Sequence, residues 1–162
     1  AFRSYKANHD VFRVFLISLL GMRQKTIVHN MSQLTLHEFA SINCKLKDIS
    51  DTWSDLWVFL HILPVSIGRV VNLRYGNFIG DSLIVEANGR LEEKILTVPA
   101  VVRHIVQRRN DKYPNDIFIF QSHSNRVKFK EQPVTVIAFN RALKIASSGV
   151  TDKKVSSKSA RW

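Results

Sequence analysis

Hydrophobic residues recur at helical spacing over most of the chain, and this pattern predicts six helices. Thr35 and Glu38 have the spacing of a capping box, which marks the start of the second helix. Either Asp51 or Ser54 can cap the third helix, and Pro64 ends it. The other four helices are expected over residues 10–20, 66–73, 99–109 and 133–148.

The pattern changes from helical spacing to strands between residues 78 and 98. The predicted strands are Phe78–Ile79, Leu83–Val85 and Lys94–Val98, and Asn88-Gly89 is a typical hairpin turn between the last two. Residues 116–120 form a further short apolar run, either a strand or an extended connector. Helices therefore precede and follow a small three-stranded antiparallel sheet, and the predicted fold class is a mainly helical α+β domain.

The composition limits the classes of protein and of site. A chain of 162 residues with 45% hydrophobic residues suits one folded domain. The single cysteine, Cys44, excludes an internal disulfide and a multi-cysteine zinc site and favours a cytoplasmic protein. The longest apolar run, residues 11–20, is too short to span a bilayer, so no membrane partner is expected. The glycines form no phosphate-binding loop and the histidines form no i, i+4 pair, so neither a metal nor a small-molecule cofactor is predicted.

Basic residues are concentrated in the last part of the chain. After position 100 there are 13 of the 24 basic and 4 of the 13 acidic side chains, a net charge of +9 out of +11. This excess favours double-stranded DNA as the partner, although a solvated face that serves only solubility is the alternative. The basic side chains predicted to contact DNA are Arg90 and, in this last part of the chain, Arg108, Arg109, Arg126, Lys128, Lys130, Lys153 and Lys154. The aromatic residues among them fit core positions better than stacking platforms: Tyr113, Phe118, Phe120 and Phe129.

Several segments, taken in order, resemble the catalytic domain of tyrosine recombinases, the phage-type integrases. Residues 60–78 resemble the first conserved box of that family, and Leu73-Arg74-Tyr75-Gly76-Asn77-Phe78 matches the end of that box in type and position. Residues 34–38 resemble the domain-opening helix, and the hairpin followed by Thr97-Val98-Pro99 resembles the second and third strands. Residues 139–144 and 155–161 resemble the helix before the second box and the box itself, so the resemblance covers roughly residues 32–162.

The resemblance implies a domain that breaks and rejoins DNA through a 3′-phosphotyrosine link. In the family, two arginines hold the non-bridging oxygens of the scissile phosphate, a hairpin lysine protonates the leaving oxygen, and a box-two histidine assists. By the match to these motifs, Arg161 is the second arginine and Lys158 stands in place of the histidine. Lys94 and Arg90 are the candidates for the hairpin lysine, with a solvated hairpin tip as the alternative for each.

The first arginine is the main departure from the family pattern. Counting back eight residues from Arg74 gives Ser66, and a serine cannot neutralise a phosphate oxygen. Arg69, one helical turn further on, is the candidate to replace the missing charge. The nucleophilic tyrosine of the family is expected beyond Trp162, so the chain as given is not expected to cleave DNA.

The leading prediction is a DNA-binding catalytic-domain fragment of a site-specific recombinase or integrase of a mobile genetic element. It would act with other protomers on DNA and would be impaired by the serine at position 66. The first alternative is a non-catalytic DNA-binding or regulatory protein on the same scaffold, and the second is a helical interaction module unrelated to DNA. Residues 31–162 form the predicted domain, whereas residues 1–30 belong either to the last helix of an amino-terminal DNA-clamping domain or to an extension of the core.

Overall fold

The computed structural model describes residues 33–127 and 129–161. The predicted helix over residues 10–20, the segment 1–30 and Lys128 lie outside the described residues. The described part confirms the α+β class, with five α-helices and one three-stranded antiparallel sheet. The elements, in chain order, are α1 (Leu36–Ile49), α2 (Asp51–Ile62), α3 (Ile67–Val70), β1 (Phe78–Ile79), β2 (Ser82–Val85), β3 (Lys94–Thr97), α4 (Ala100–Lys112) and α5 (Val136–Ser147). None of the helices in these ranges is long and apolar enough to cross a bilayer.

Helix α1 begins at the capping box that the sequence predicts. The Thr35 hydroxyl accepts a hydrogen bond from the backbone N–H of Glu38 at 3.1 Å, and the Glu38 carboxylate accepts one from the backbone N–H of Thr35 at 2.8 Å. Lys153 Nζ lies 2.9 Å from the same carboxylate. This lysine therefore ties the segment after α5 to the start of α1.

Helix α2 begins earlier than predicted, because Ser50 rather than Asp51 or Ser54 is its N-cap. The Ser50 hydroxyl accepts a hydrogen bond from the backbone N–H of Thr52 at 3.2 Å. The helix stops at Ile62, before Pro64, as predicted. Eight of its twelve residues are buried, so α2 lies at the centre of the core.

The other helices differ from prediction at their ends. Helix α3 has only four residues and a 3₁₀ turn follows it, and α4 extends to Lys112. Helix α5 begins at Val136 rather than at Pro133, because the Thr135 hydroxyl caps it by accepting from the backbone N–H of Ala138 at 3.1 Å. Pro133 instead pairs with Gln121 in an extended segment.

The sheet has the order β1-β2-β3 with antiparallel pairing throughout. Leu83 in the central strand pairs with Phe78 on one side and Leu96 on the other. The hairpin turn is centred on Gly89-Arg90 rather than Asn88-Gly89, since the backbones of Asn88 and Leu91 exchange hydrogen bonds of 2.9 Å. Gly89 has a φ of +57°, which glycine adopts without the steric penalty that a side chain would bring.

Residues 117–122 form an extended connector rather than a named strand. The backbone N–H of Ile119 donates to the carbonyl of Leu73 at 3.0 Å, and the N–H of Val134 donates to the carbonyl of Phe120 at 2.8 Å. Phe120 is fully buried, as predicted. Phe129 is 91% exposed, which corrects the expectation that it belongs to the core.

A buried ion pair joins α2 to α4. The Arg109 side chain is completely buried, and its Nη1 lies 2.9 Å from the Asp55 carboxylate. Its Nη2 donates to the Thr52 hydroxyl at 3.0 Å and its Nε to the Ile119 carbonyl at 2.8 Å. Arg108 contacts the other oxygen of Asp55. These bonds replace the water that both ions lose on folding.

We predict that Asp55→Ala lowers the free energy of unfolding by about 3–5 kcal/mol, because Arg109 would then be a buried charge without a counter-ion. Arg103→Ala is the matched control, since Arg103 pairs with Asp81 on the surface, where the two side chains are 50% and 74% exposed. We expect this control to change stability by less than about 1 kcal/mol. Urea unfolding measures both, and equal effects of the two variants would contradict the role assigned to the buried pair.

Candidate functional site

The Arg161 guanidinium lies against the C-terminal end of α2. Its Nε donates to the carbonyl of Leu60 at 2.9 Å, and its Nη2 donates to the carbonyls of Leu63, at 3.1 Å, and Val65. The last carbonyls of a helix have no partner within the helix and carry the negative end of its dipole. Arg161 therefore satisfies the Leu60 carbonyl, while the Leu63 carbonyl also accepts from the backbone N–H of Val65 at 2.8 Å. The bond to the Val65 carbonyl brings the guanidinium next to the peptide group that joins Val65 to Ser66.

A short 3₁₀ turn, Ser157–Ala160, sets the position of Arg161. The turn is closed by the Ser159 hydroxyl, which accepts from the backbone N–H of Ser156 at 3.0 Å, and Ala160 is completely buried. His61 of α2 lies with its Nδ1 2.6 Å from the carbonyl oxygen of Ala160. Two contacts from α2 thus hold the residue pair 160–161 against the end of that helix.

The electrostatics of His61 and Arg161 follow from their burial. Burial lowers the pKa of His61. A carbonyl can only accept, so the neutral ring must carry its proton on Nδ1 to bond Ala160. Burial also lowers the pKa of Arg161, although a guanidinium remains charged in proteins. Arg161 Nη1 has no hydrogen-bond partner within residues 33–127 and 129–161, so one face of the cation stays available.

Ser66 and Lys158 are both exposed. Ser66 follows Val65, whose carbonyl bonds Arg161, and Lys158 precedes Arg161 by three positions in the chain. Ser66 is the N-cap residue of α3, but its side chain makes no capping hydrogen bond to that helix. Lys158 lies on the same 3₁₀ turn as the arginine, and its carbonyl accepts from the backbone N–H of Arg161 at 3.4 Å. The lysine side chain has no ion-pair partner in the described ranges.

Arg69 contacts the hairpin and shares no hydrogen-bond partner with Arg161. It is 6% exposed, and its Nη2 donates to the carbonyls of Val85, Glu86 and Glu92 at 3.2, 2.9 and 2.7 Å. Val85 ends β2, and Glu86 and Glu92 lie in the connection that leads to β3, so Arg69 fastens both sides of the hairpin connection to α3. The three hydrogen bonds hold the Arg69 guanidinium against the backbone of the hairpin.

The two hairpin candidates, Lys94 and Arg90, are exposed. Lys94 is the first residue of β3 and pairs through its backbone with Val85, while Arg90 occupies the turn. Neither side chain makes a hydrogen bond or an ion pair to a described residue. No hydrogen bond or ion pair joins either of them to Ser66, Lys158 or Arg161.

The basic residues that are predicted to contact DNA in the last part of the chain differ in their exposure and in their ion pairs. Arg109 is completely buried in its ion pair with Asp55, so we remove it from the predicted DNA surface. Arg108 and Lys153 are only partly exposed, and each pairs with a carboxylate. The exposed members without an ion pair to a described residue are Arg126, Lys130 and Lys154.

His61 is the residue of this site that sequence reasoning did not connect with the second box. Its partner Ala160 lies 99 positions away in the chain. Neither the local spacing of residues nor their type predicts such a contact. The ring of His61 is half-buried and hydrogen-bonded.

The fold is similar to that of a solved integrase. In the crystal structure of a lambda integrase dimer bound to a COC′ core site, the matching region has a TM-score of 0.64 and covers 79% of this chain at 11% identity. The chain spans 38% of the length of that integrase chain. No protein-family model matches the sequence. No curated protein matches it either. At this identity the similarity shows the fold alone.

We predict that the stability of the domain falls as the pH is lowered below about 6.5, in part because of His61. Its folded-state pKa lies below the ordinary value of 6.5, so the unfolded chain takes up a proton more readily. The contribution is fully present above that pH and is lost as the pH falls toward the lowered pKa. Urea unfolding at a series of pH values measures it.

His61→Asn is the matched variant for this prediction. An asparagine amide can donate to the Ala160 carbonyl from about the position of Nδ1, but it does not titrate in this range. The variant should therefore depend less on pH than the wild type between about pH 4 and pH 7. Parallel stability curves for the two proteins would show that His61 does not contribute to the pH dependence.

Proposed function

We propose that this chain is a DNA-binding recombinase-type catalytic domain in which the phosphate-binding arginine of the first box is missing. The observation that carries the proposal is the contact of Arg161 with the carbonyls of Leu60, Leu63 and Val65. This contact brings the arginine of the second box next to Ser66, the position that the family resemblance assigns to the first arginine. The integrase-like fold supports the same assignment.

In the proposed site, Arg161 and Lys158 bind the scissile phosphate of duplex DNA. Arg161 uses its free Nη1 for a non-bridging oxygen, while its Nε and Nη2 remain on the carbonyls of α2. Lys158, which is exposed on the same turn, donates a proton or hydrogen bond in place of the family's histidine. Lys94 or Arg90 on the hairpin approaches the leaving oxygen when DNA is bound, and other protomers assemble on the same DNA.

Ser66 is the reason to expect weak or absent cleavage. A hydroxyl supplies one neutral donor where a guanidinium would supply a charge and a two-pronged contact. Arg69 does not need to be invoked as a replacement, because its anchored guanidinium has a clear role in holding the hairpin. We propose Arg69 as a positioning residue for the hairpin and not as a ligand of the scissile phosphate.

The alternative is a non-catalytic DNA-binding or regulatory protein on this scaffold. The missing charge at position 66 favours it, and duplex binding through Arg126, Lys130 and Lys154 would serve it equally well. The two functions differ in whether a tyrosine further along the natural chain forms a covalent link with DNA. A helical interaction module unrelated to DNA would bind no duplex at all.

We predict that the domain binds duplex DNA with an affinity that falls steeply with salt. Arg126→Gln, Lys130→Gln and Lys154→Gln should each reduce the slope of log K against log[salt] by about 0.9, the value for one phosphate contact. Lys47→Gln on α1 removes the same charge outside the basic part of the chain and should leave the slope unchanged. Fluorescence anisotropy with a labelled duplex measures the slopes. Absence of binding, or binding insensitive to salt, would contradict the proposal.

We predict that Ser66→Arg raises the rate of covalent DNA adduct formation by the natural full-length protein about 10²–10³-fold. The added guanidinium would lie beside Arg161 and supply the missing contact to the phosphate. Ser66→Ala is the control, and it should match the wild type because the serine side chain makes no cap hydrogen bond. A nicked suicide substrate followed on denaturing gels measures the adduct.

The result of that assay separates the two functions. Adduct formation that appears with Ser66→Arg supports an impaired recombinase. A wild-type rate equal to that of Ser66→Arg would refute the impairment, and no adduct with either protein would favour the non-catalytic alternative.

A further inference from the structure

A polar cleft lies between the hairpin and the turn after α3. It has a volume of about 270 Å³ and is lined by residues of both segments, among them Arg69, Asn72, Arg74, Asn77, Glu86 and Phe118. None of the residues proposed to bind the scissile phosphate, namely Ser66, Lys158 and Arg161, is among its lining residues. The cleft is therefore distinct from the site at the end of α2.

Arg69 is a largely buried cation among the lining residues of this cleft. It is 6% exposed, and its Nε is buried without a hydrogen-bond partner, whereas its Nη1 is not among the buried atoms and bonds no described residue. Its Nη2 is bonded only to carbonyl oxygens of the hairpin. No carboxylate of a described residue lies within 4.0 Å of this guanidinium, so its charge is solvated by peptide dipoles alone.

Arg74 supplies a second cation that also lacks a carboxylate partner in the described ranges. Its guanidinium carbon lies 5.0 Å from the centre of the Phe118 ring, which holds the planar group in place and leaves its donors free. The only acidic side chain in the cleft is Glu86, whose carboxylate accepts from Asn77 Nδ2 at 3.3 Å. Two cations against one anion leave the cleft with a net positive charge.

We propose that this cleft binds a phosphate group. The fork of a guanidinium matches the oxygens of phosphate, and the bond is strengthened because both partners are charged. Arg69 would donate through its accessible Nη1 and Arg74 through its exposed guanidinium. The phosphate is either that of a DNA backbone outside the cleavage position or a free phosphate ion.

The first experiment uses inorganic phosphate and does not depend on DNA. Titration of the isotopically labelled protein should shift the Nε–H resonance of Arg69 in a saturable manner, because this proton belongs to the guanidinium whose Nη1 gains an acceptor. Arg74→Gln should weaken the phosphate affinity at least tenfold, while Arg103→Gln, an exposed arginine of α4 paired with Asp81, should leave it unchanged. Arg74 is exposed, so its replacement is compatible with folding.

The second experiment distinguishes the source of the phosphate. If the ligand is a DNA phosphate, a duplex should shift the same Arg69 resonance and compete with inorganic phosphate, and Arg74→Gln should lower the salt slope by about 0.9. If the ligand is a free phosphate, the duplex should leave the resonance in place even when it is bound elsewhere. Failure of both inorganic phosphate and duplex to shift the resonance would overturn the proposal. Failure of DNA binding alone would refute only the recombinase function.

Discussion

The carbonyl groups at the end of α2 are the constraint on which the arrangement of this domain depends. The helix is mostly buried, and Pro64, just beyond its end, has no N–H with which to close the last turn. Arg161 supplies the Leu60 carbonyl with a donor from a segment about a hundred positions later in the chain, and it also bonds the carbonyls of Leu63 and Val65 just beyond the helix. These contacts hold the segment that contains Arg161 against the end of α2. The juxtaposition proposed for function therefore also satisfies a backbone acceptor of the fold.

Some of the excess basic residues form ion pairs within the fold, and others form a positive surface. The net charge of the sequence does not distinguish the two. Lys112 lies 2.8 Å from Asp51 at the start of α2, and Arg109 is buried beside Asp55 one turn later, so basic residues hold the N-terminal half of α2. Lys153 in turn holds the start of α1. These residues stabilise the fold, and the buried Arg109 is not available to a polyanion. The positive surface that remains is smaller than the net charge of the last part of the chain suggests.

Much of the fold could be predicted from the sequence, because local rules govern helix starts, helix stops and the hairpin. The capping box, the break at Pro64 and the three strands follow such rules. Errors arose where two local signals compete, as when Ser50 rather than Asp51 caps α2. The burial of Arg109 had a signal, since it continues the stripe that includes Ile105 one turn earlier. The partners of Arg69 and Arg161 had none, because backbone carbonyls of distant segments carry no mark in the sequence.

The two arginine positions of the family differ here in what the fold requires of them. Arg161 is needed to satisfy the end of α2 whether or not DNA is cleaved, so its presence alone is weak evidence for catalysis. The side chain at position 66 satisfies no comparable backbone group, since it is exposed and makes no capping hydrogen bond. A positive charge there would serve only a bound anion. The absence of that charge is therefore more informative about chemistry than the presence of Arg161, because no hydrogen bond that caps α3 depends on the side chain at position 66.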